Sequence, residues 1–219
     1  MRGLAFRDRR QAGRLLADEL HARAGRDALV LGLPRGGVPV AYEVARGLGA
    51  PLDVYMVRKL GVPGHEELAF GAIARGGTHV IDQALVSRLE LSLQELQAVE
   101  RKERRELERR ERLYRADRPA LALADRTIVL VDDGLATGSS MLAAALDVAK
   151  QRPRRTIVAV PVAPPSTCAA LRRVVSEVVC LTAPRQLRSV GSWYHDFAQV
   201  RDEEVRYLLE SADAWRADA

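Results

Sequence analysis

Residues 127–141, TIVLVDDGLATGSSM, constrain this chain more than any other stretch, because an apolar strand, two adjacent acids and a small-residue loop follow one another without a break. Ile128, Val129, Leu130 and Val131 are consecutive aliphatic residues, mostly β-branched, the pattern of a strand buried on both faces of a parallel sheet. Asp132 and Asp133 follow at its carboxyl end, the edge at which open α/β sheets bind ligands. Carboxylates there can accept hydrogen bonds from sugar hydroxyls or help to hold a divalent cation. Gly134, Gly138 and the hydroxyls of Thr137, Ser139 and Ser140 lead into an apolar helix over 141–150, so that free amides at the helix start can surround a phosphate. The GxxxxGK[ST] pattern of a Walker A loop is missing, and no lysine lies near the glycines.

The remaining pattern alternates strands with helices. A helix is expected from Asp8, a good N-cap, to about Arg23, followed by a buried strand over 28–33, the tetrapeptide Pro34-Arg35-Gly36-Gly37 and a helix over 38–48. A second strand over 52–57 ends in Arg58 and Lys59, and a glycine-rich polar loop over 60–67 follows, with His65, Glu66 and Glu67 as its titratable groups. Segments 68–74 and 78–81 can pair as a hairpin about the Arg75-Gly76-Gly77 turn. Strands over 156–160 and 178–181, a helix over 166–175 and a last helix from Asp202 complete a parallel sheet flanked by helices, an α/β fold expected to form one domain over 1–219. Segment 182–200 is irregular and holds Trp193, Tyr194, His195 and Phe197.

Between the hairpin and the acidic signature lies a long charged helix over 92–115, opened by a Ser92/Glu95 capping box. Glu100 with Arg104, Glu106 with Arg110, Glu108 with Arg112 and Glu111 with Arg115 have the favourable i, i+4 order. Its apolar stripe is interrupted, so the sequence describes a solvated helix docked at its ends; an RNA-binding helix and a homodimer contact are the other readings. The formal charge of +5 is concentrated here, with nine cations and five acids between Arg101 and Arg118. No apolar run is long enough to span a membrane, and MRGLAFRDRR lacks the apolar core of a signal peptide, so the expected location is cytoplasmic. Cys168 and Cys180 have no metal-ligand spacing and read as small core residues.

The 127–141 stretch resembles the signature of the type I phosphoribosyltransferases: four hydrophobic residues, two acids, then a short loop ending in Thr-Gly and hydroxyl residues. The resemblance implies a Rossmann-like parallel sheet with a small hood, here carrying the long charged helix as an insertion. It also implies an enzyme that moves ribose 5-phosphate from phosphoribosyl pyrophosphate (PRPP) to a nucleobase-like acceptor, with Mg2+ as cofactor. Asp132 and Asp133 would contact the ribose hydroxyls and the metal, and Gly134, Leu135, Ala136, Thr137, Gly138, Ser139 and Ser140 would wrap the 5′-phosphate. Pro34, Arg35, Gly36 and Gly37 would form the pyrophosphate loop, with a cis peptide at Pro34-Arg35. Arg58 and Lys59 would point at pyrophosphate, Arg35 and Lys59 stabilising its departure, and 60–67 would be the lid.

The hood, over 182–200, is similar to that of the 6-oxopurine phosphoribosyltransferases. Leu187, Val190 and Trp193 would then meet the base, and Asp196 would lie near the metal. Several relatives carry an acidic residue where this chain has Ala136, although adenine phosphoribosyltransferases also have alanine there, so no general base is assigned at that position. The rival reading is a regulator of the same fold that senses PRPP or a nucleotide and binds RNA or DNA. Another is a protein of this fold without turnover, acting through oligomer contacts.

Overall fold

The computed structural model describes residues 6–116, 118–119 and 121–217. Residues 1–5, on which part of the leader reading rests, and the ends of the 1–219 domain expectation lie outside the described residues.

The signature strand takes the place its composition demands. β6 (Thr127–Val131) is buried along its whole length and pairs in parallel with β1 (Leu29–Gly32) on one side and β7 (Arg155–Val162) on the other. With β2 (Leu52–Val54) and β8 (Glu177–Thr182) at the two edges, the sheet runs β2-β1-β6-β7-β8, all parallel. Helices cover both faces, as the unbroken apolar strands require. On one face α1 (Arg9–Leu20), α2 (Gly37–Leu48) and α7 (Asp202–Ala217) contribute Leu16, Val44 and Leu208 to the core that includes Val129. On the other, α5 (Ser139–Ala149) and α6 (Pro165–Leu171) contribute Met141 and Leu171 to the core around Leu130. Asp8 caps α1 as expected, accepting a hydrogen bond from the Gln11 amide at 2.7 Å.

Four features differ from the expectations. The strand over 52–57 is interrupted: β2 stops at Val54, and Val57 opens β3 (Val57–Val62), which belongs to a second, antiparallel sheet, β3-β4-β5. Arg58 and Lys59 therefore lie within this second sheet. The segment expected as a loop over 60–67 is the turn of a hairpin, because β4 (His65–Ala74) continues back along β3, with Val62 paired to His65 across Pro63-Gly64. Proline followed by a glycine at φ 77° is the chemistry of a tight turn. β5 (His79–Ile81) closes the expected hairpin with β4, and a short helix α3 (Gln83–Arg88), capped by Asp82, was not anticipated.

The long helix α4 (Leu93–Arg115) starts at the expected capping box. It is docked along its length and not only at its ends. Leu107 in its middle is buried, Glu103 pairs with Arg58 of β3, Glu111 pairs with Arg75, and Arg115 is buried against Asp53 at 3.1 Å. The interrupted stripe misled because ion pairs between elements replace part of the apolar seam. Among the anticipated i, i+4 pairs, Glu100–Arg104 and Glu106–Arg110 close at 3.0 and 2.6 Å, and Glu111–Arg115 at 3.9 Å.

Candidate active site

In chain order the five parallel strands are arranged 2-1-3-4-5, so the connections leaving β1 and β6 diverge to opposite faces. The crevice between them is the topological switch point, where such sheets bind ligands. A cavity of about 1090 Å3 opens there, lined by Pro34 to Gly36 after β1 and Asp132 to Met141 after β6.

The two loops touch. Leu33 N donates to Val131 O at 2.9 Å, which holds the β1 loop beside the signature strand. A Cβ at Gly36 would overlap Asp133 Oδ2, so glycine is what allows the carboxylate to rest against the opposite backbone. The Pro34-Arg35 peptide is cis. Gly138, at φ 78°, turns the chain into α5. Leu135 N is spent on Val162 O (2.9 Å) and Leu142 N on Gly138 O (2.8 Å), whereas the amides of Thr137 to Met141 have no acceptor among the described residues. These amides, together with the Thr137 and Ser139 hydroxyls 3.2 Å apart, form an anion cradle at a helix start. Thr167 of α6 braces the cradle by donating to Ala136 O at 3.1 Å.

The acids sit inside this frame. Asp132 accepts the Asp133 amide on Oδ1 at 2.9 Å, and Asp133 Oδ2 accepts from Arg9 Nε at 2.8 Å. Burial pushes the Asp132 carboxyl well above the ordinary carboxylate value, and repulsion from Asp133 pushes it further; Lys59 and Arg9 pull it back. Burial likewise raises Asp133, opposed first by the charge and hydrogen bond of Arg9. Two adjacent carboxylates in such a place are poised for cationic or hydrogen-bond-donating ligands.

The outer wall comes from farther away. Lys59 lines the cavity, as does Arg58, but the Arg58 guanidinium is held by Glu103 of α4 at 2.6 Å. Arg35 lies 3.5 Å from Asp202, which also accepts from Tyr114 Oη at 2.5 Å. From α4, Val99, Lys102 and Arg110 face the cavity; Lys102 reaches Glu66 at the hairpin tip, 3.6 Å away. The helix on which a nucleic-acid partner was considered thus gives one face to this cavity.

Of the hood residues expected to meet the base, Val190 lines the cavity and packs over Gly134. Leu187 and Trp193, both half-buried, instead pack against a satellite core of Phe6, Ala12, Val162 and Tyr194, giving apolar cover to the Phe6–Tyr194 bridge. Asp196 is not brought to the acid pair. It is exposed and accepts the Ala198 amide at 3.0 Å, and among the described residues no three His, Cys, Asp or Glu side chains converge on one point. The residues that sequence reasoning missed are Arg9, Phe197 and Tyr194. The Arg9 guanidinium lies 3.7 Å over the Phe197 ring, and Tyr194 Oη donates to Asp133 O at 2.6 Å. A basic residue in the first turn of a helix carries no local signal that could have revealed Arg9.

The phosphoribosyl transferase domain matches residues 7–195 of the chain. Two curated proteins from strains of Mycobacterium tuberculosis, each named "Putative phosphoribosyl transferase", are 44% identical to it over 214 residues, 98% of this chain. The chain spans about half the length of these relatives, 48% of each. Among solved structures, TT1426 from Thermus thermophilus is 45% identical, with a TM-score of 0.77 over 94% of this chain and 98% of that one. AQ2163 from Aquifex aeolicus, 12% identical and with a TM-score of 0.51 over 84% of this chain and 78% of that one, shares the fold. A signature strand, an acid pair and an amide cradle at the switch point, with a family match that runs through all of them, place the chain in the phosphoribosyl transferase domain family.

Proposed function

We propose that this chain transfers ribose 5-phosphate from PRPP to a purine-like nitrogenous base, with release of pyrophosphate, in the cytoplasm. The observation that carries the reading is the meeting of two anion-ready loops with a buried acid pair between them, under one cavity. The cradle at Gly134–Ser140 suits a 5′-phosphate, the acid pair suits the ribose hydroxyls, and Pro34–Gly37 with Lys59 suits the pyrophosphate. Arg35 and Lys59 supply the positive charge beside the departing group; Arg58, clamped by Glu103, contributes field rather than a direct contact.

In the transfer, a lone pair on the acceptor nitrogen forms the bond to the anomeric carbon while the carbon–oxygen bond to pyrophosphate breaks. The pyrophosphate leaves with that bonding pair, and the proton of the acceptor nitrogen passes to water. The residues' work is positioning and charge complementarity. Asp132 and Asp133 would hold Mg2+ that arrives with its substrate, a hard cation that takes one or two carboxylates and completes its shell with phosphate and water. When bound, Mg2+ supplies charge neutralisation at the diphosphate. The hairpin tip at 60–67, the helix α4 and the hood serve this cavity as lid and walls of one functional unit, excluding water from a ribosyl centre that water would otherwise capture.

Calorimetric titration with PRPP, with and without Mg2+, tests the reading. Metal-dependent binding in the micromolar range is expected, followed by pyrophosphate release when a suitable base is added; absence of PRPP binding would reject it.

A further inference from the structure

Arg9 belongs to no part of the signature, yet it is fixed at three points around the cavity. Its Nε donates to Asp133 Oδ2 at 2.8 Å, its Nη1 donates to Ala198 O at 2.8 Å, and its guanidinium carbon lies 3.7 Å from the centre of the Phe197 ring. The side chain is only 11% exposed. Its Nη2 donates to nothing among the described residues, and no side-chain nitrogen there is both buried and unpaired, so Nη2 is the accessible end of the group. Arg9 lines the cavity, and its two neighbours across the ring, Phe197 and Ala198, belong to the hood.

Phe197 is itself occupied. One face carries Arg9, and Tyr194 packs against the ring at 4.9 Å between centroids. No aromatic face is left there for a base to stack on. The guanidinium offers what the ring does not: a flat surface for an aromatic ring and an N–H donor at its edge. Held by Asp133 on one side and Phe197 on the other, it loses little freedom on binding. The one carboxylate of segment 182–200, Asp196, is not among the residues that line the cavity; it is exposed and accepts the Ala198 amide. The hood end of the cavity therefore presents donors: Arg9 and, beside it, the amide side chain of Gln199, which can both donate and accept.

From this we infer that Arg9 is the acceptor-recognising residue of the cavity, and that it selects a heterocycle whose edge presents oxygen, as a ring carbonyl or a carboxylate, over one that presents an amino group. The inference rests on the phosphoribosyltransferase reading. Arg9 stacks on or beside the ring and donates Nη2 to that oxygen, while its Nε keeps Asp133 in place beneath the ribose.

The test uses the full chain in the presence of Mg2+ and pyrophosphate, titrated calorimetrically with hypoxanthine, orotate and adenine, with PRPP affinity measured separately. Hypoxanthine or orotate should bind at least about tenfold more tightly than adenine, a margin typical of one well-placed hydrogen bond. Arg9→Gln should remove that margin, and Arg9→Lys should restore part of it through charge alone; Arg9→Gln also leaves Asp133 without its ion-pair partner and should lower the melting temperature, Arg9→Lys less so. Preference for adenine, a margin unchanged in Arg9→Gln, or a lack of binding by all three probes would overturn the inference while leaving PRPP binding as evidence for the parent reading. If Arg9→Gln fails to fold, the comparison of Arg9→Lys with the parent chain decides the matter, since a lysine lacks the planar fork and should lose at least part of the margin. Failure of the parent chain to bind PRPP would remove both.

Discussion

The sheet-edge half of the cavity takes its groups from runs of adjacent residues, 34–36 and 132–141, whereas the outer half is assembled from α1, the β3–β4 hairpin, α4 and the hood by side-chain pairs such as Arg9–Asp133, 124 positions apart. The first half works through backbone amides and the acid pair, whose places follow from strand, turn and helix geometry with glycine at points of close approach. The second works through guanidinium–carboxylate pairs, whose partners are set by packing. Changes to the first half should therefore act on ligand binding, and changes to the second on stability and on the wall.

The sharpest way to break that contrast is to neutralise the acid pair. Asp132→Asn with Asp133→Asn should weaken PRPP binding about 100-fold or more, the loss of two charge-assisted hydrogen bonds, with a smaller effect on the melting temperature because relief of the repulsion between the two buried acids offsets the loss of the Arg9–Asp133 pair. A large loss of stability with PRPP affinity intact would reverse the assignment. Arg115→Ala should do the opposite. It leaves the buried Asp53 carboxylate with the Val54 amide and, at 3.7 Å, Arg118 as its remaining cation among the described residues, and should cost about 3 kcal/mol in urea unfolding, with PRPP affinity changed far less.

Smaller effects sharpen the boundary between the halves. Gly36→Ala drives a Cβ into Asp133 Oδ2 and should reduce PRPP affinity about tenfold by pushing the carboxylate aside, a shift visible in calorimetry without a comparable change in stability. The smallest effect belongs to the charged helix. Hydrogen bonds from Arg109 and then Arg110 hold the Glu106 carboxyl down at about 2. Since the folded value lies below the unfolded one, this stabilisation is present above the unfolded carboxylate value and is lost as pH falls towards about 2. The pair is partly exposed, so it is worth less than about 1 kcal/mol. Glu106→Gln should flatten that part of the acid limb in urea midpoints taken between about pH 3 and about pH 6.

The legible part of this protein followed local rules. The run Thr127–Val131 had to be a doubly buried parallel strand because every residue is apolar or β-branched, and Asp8 and the Ser92/Glu95 box had to start helices because their side chains satisfy amides that the helix cannot. Residues 52–62 were misread because the chain leaves one sheet for another between Val54 and Val57, and nothing in their alternation records which sheet a strand will join. Segment 60–67 was expected as a loop because glycine and polar residues dominate it; its pairing is decided by the partner strand, including a register shift at Gly61.

By itself, then, the sequence determined the parallel α/β core, the acid pair at a strand end and the glycine-bearing loop at a helix start, since each depends on neighbours within a few residues. Only the tertiary structure decided that Glu103 would clamp Arg58, that α4 would wall the cavity, that Trp193 would pack against the satellite core and that Arg9 would lie between Asp133 and Phe197. Those outcomes depend on distances between segments far apart in the chain, and packing sets such distances where local pattern cannot.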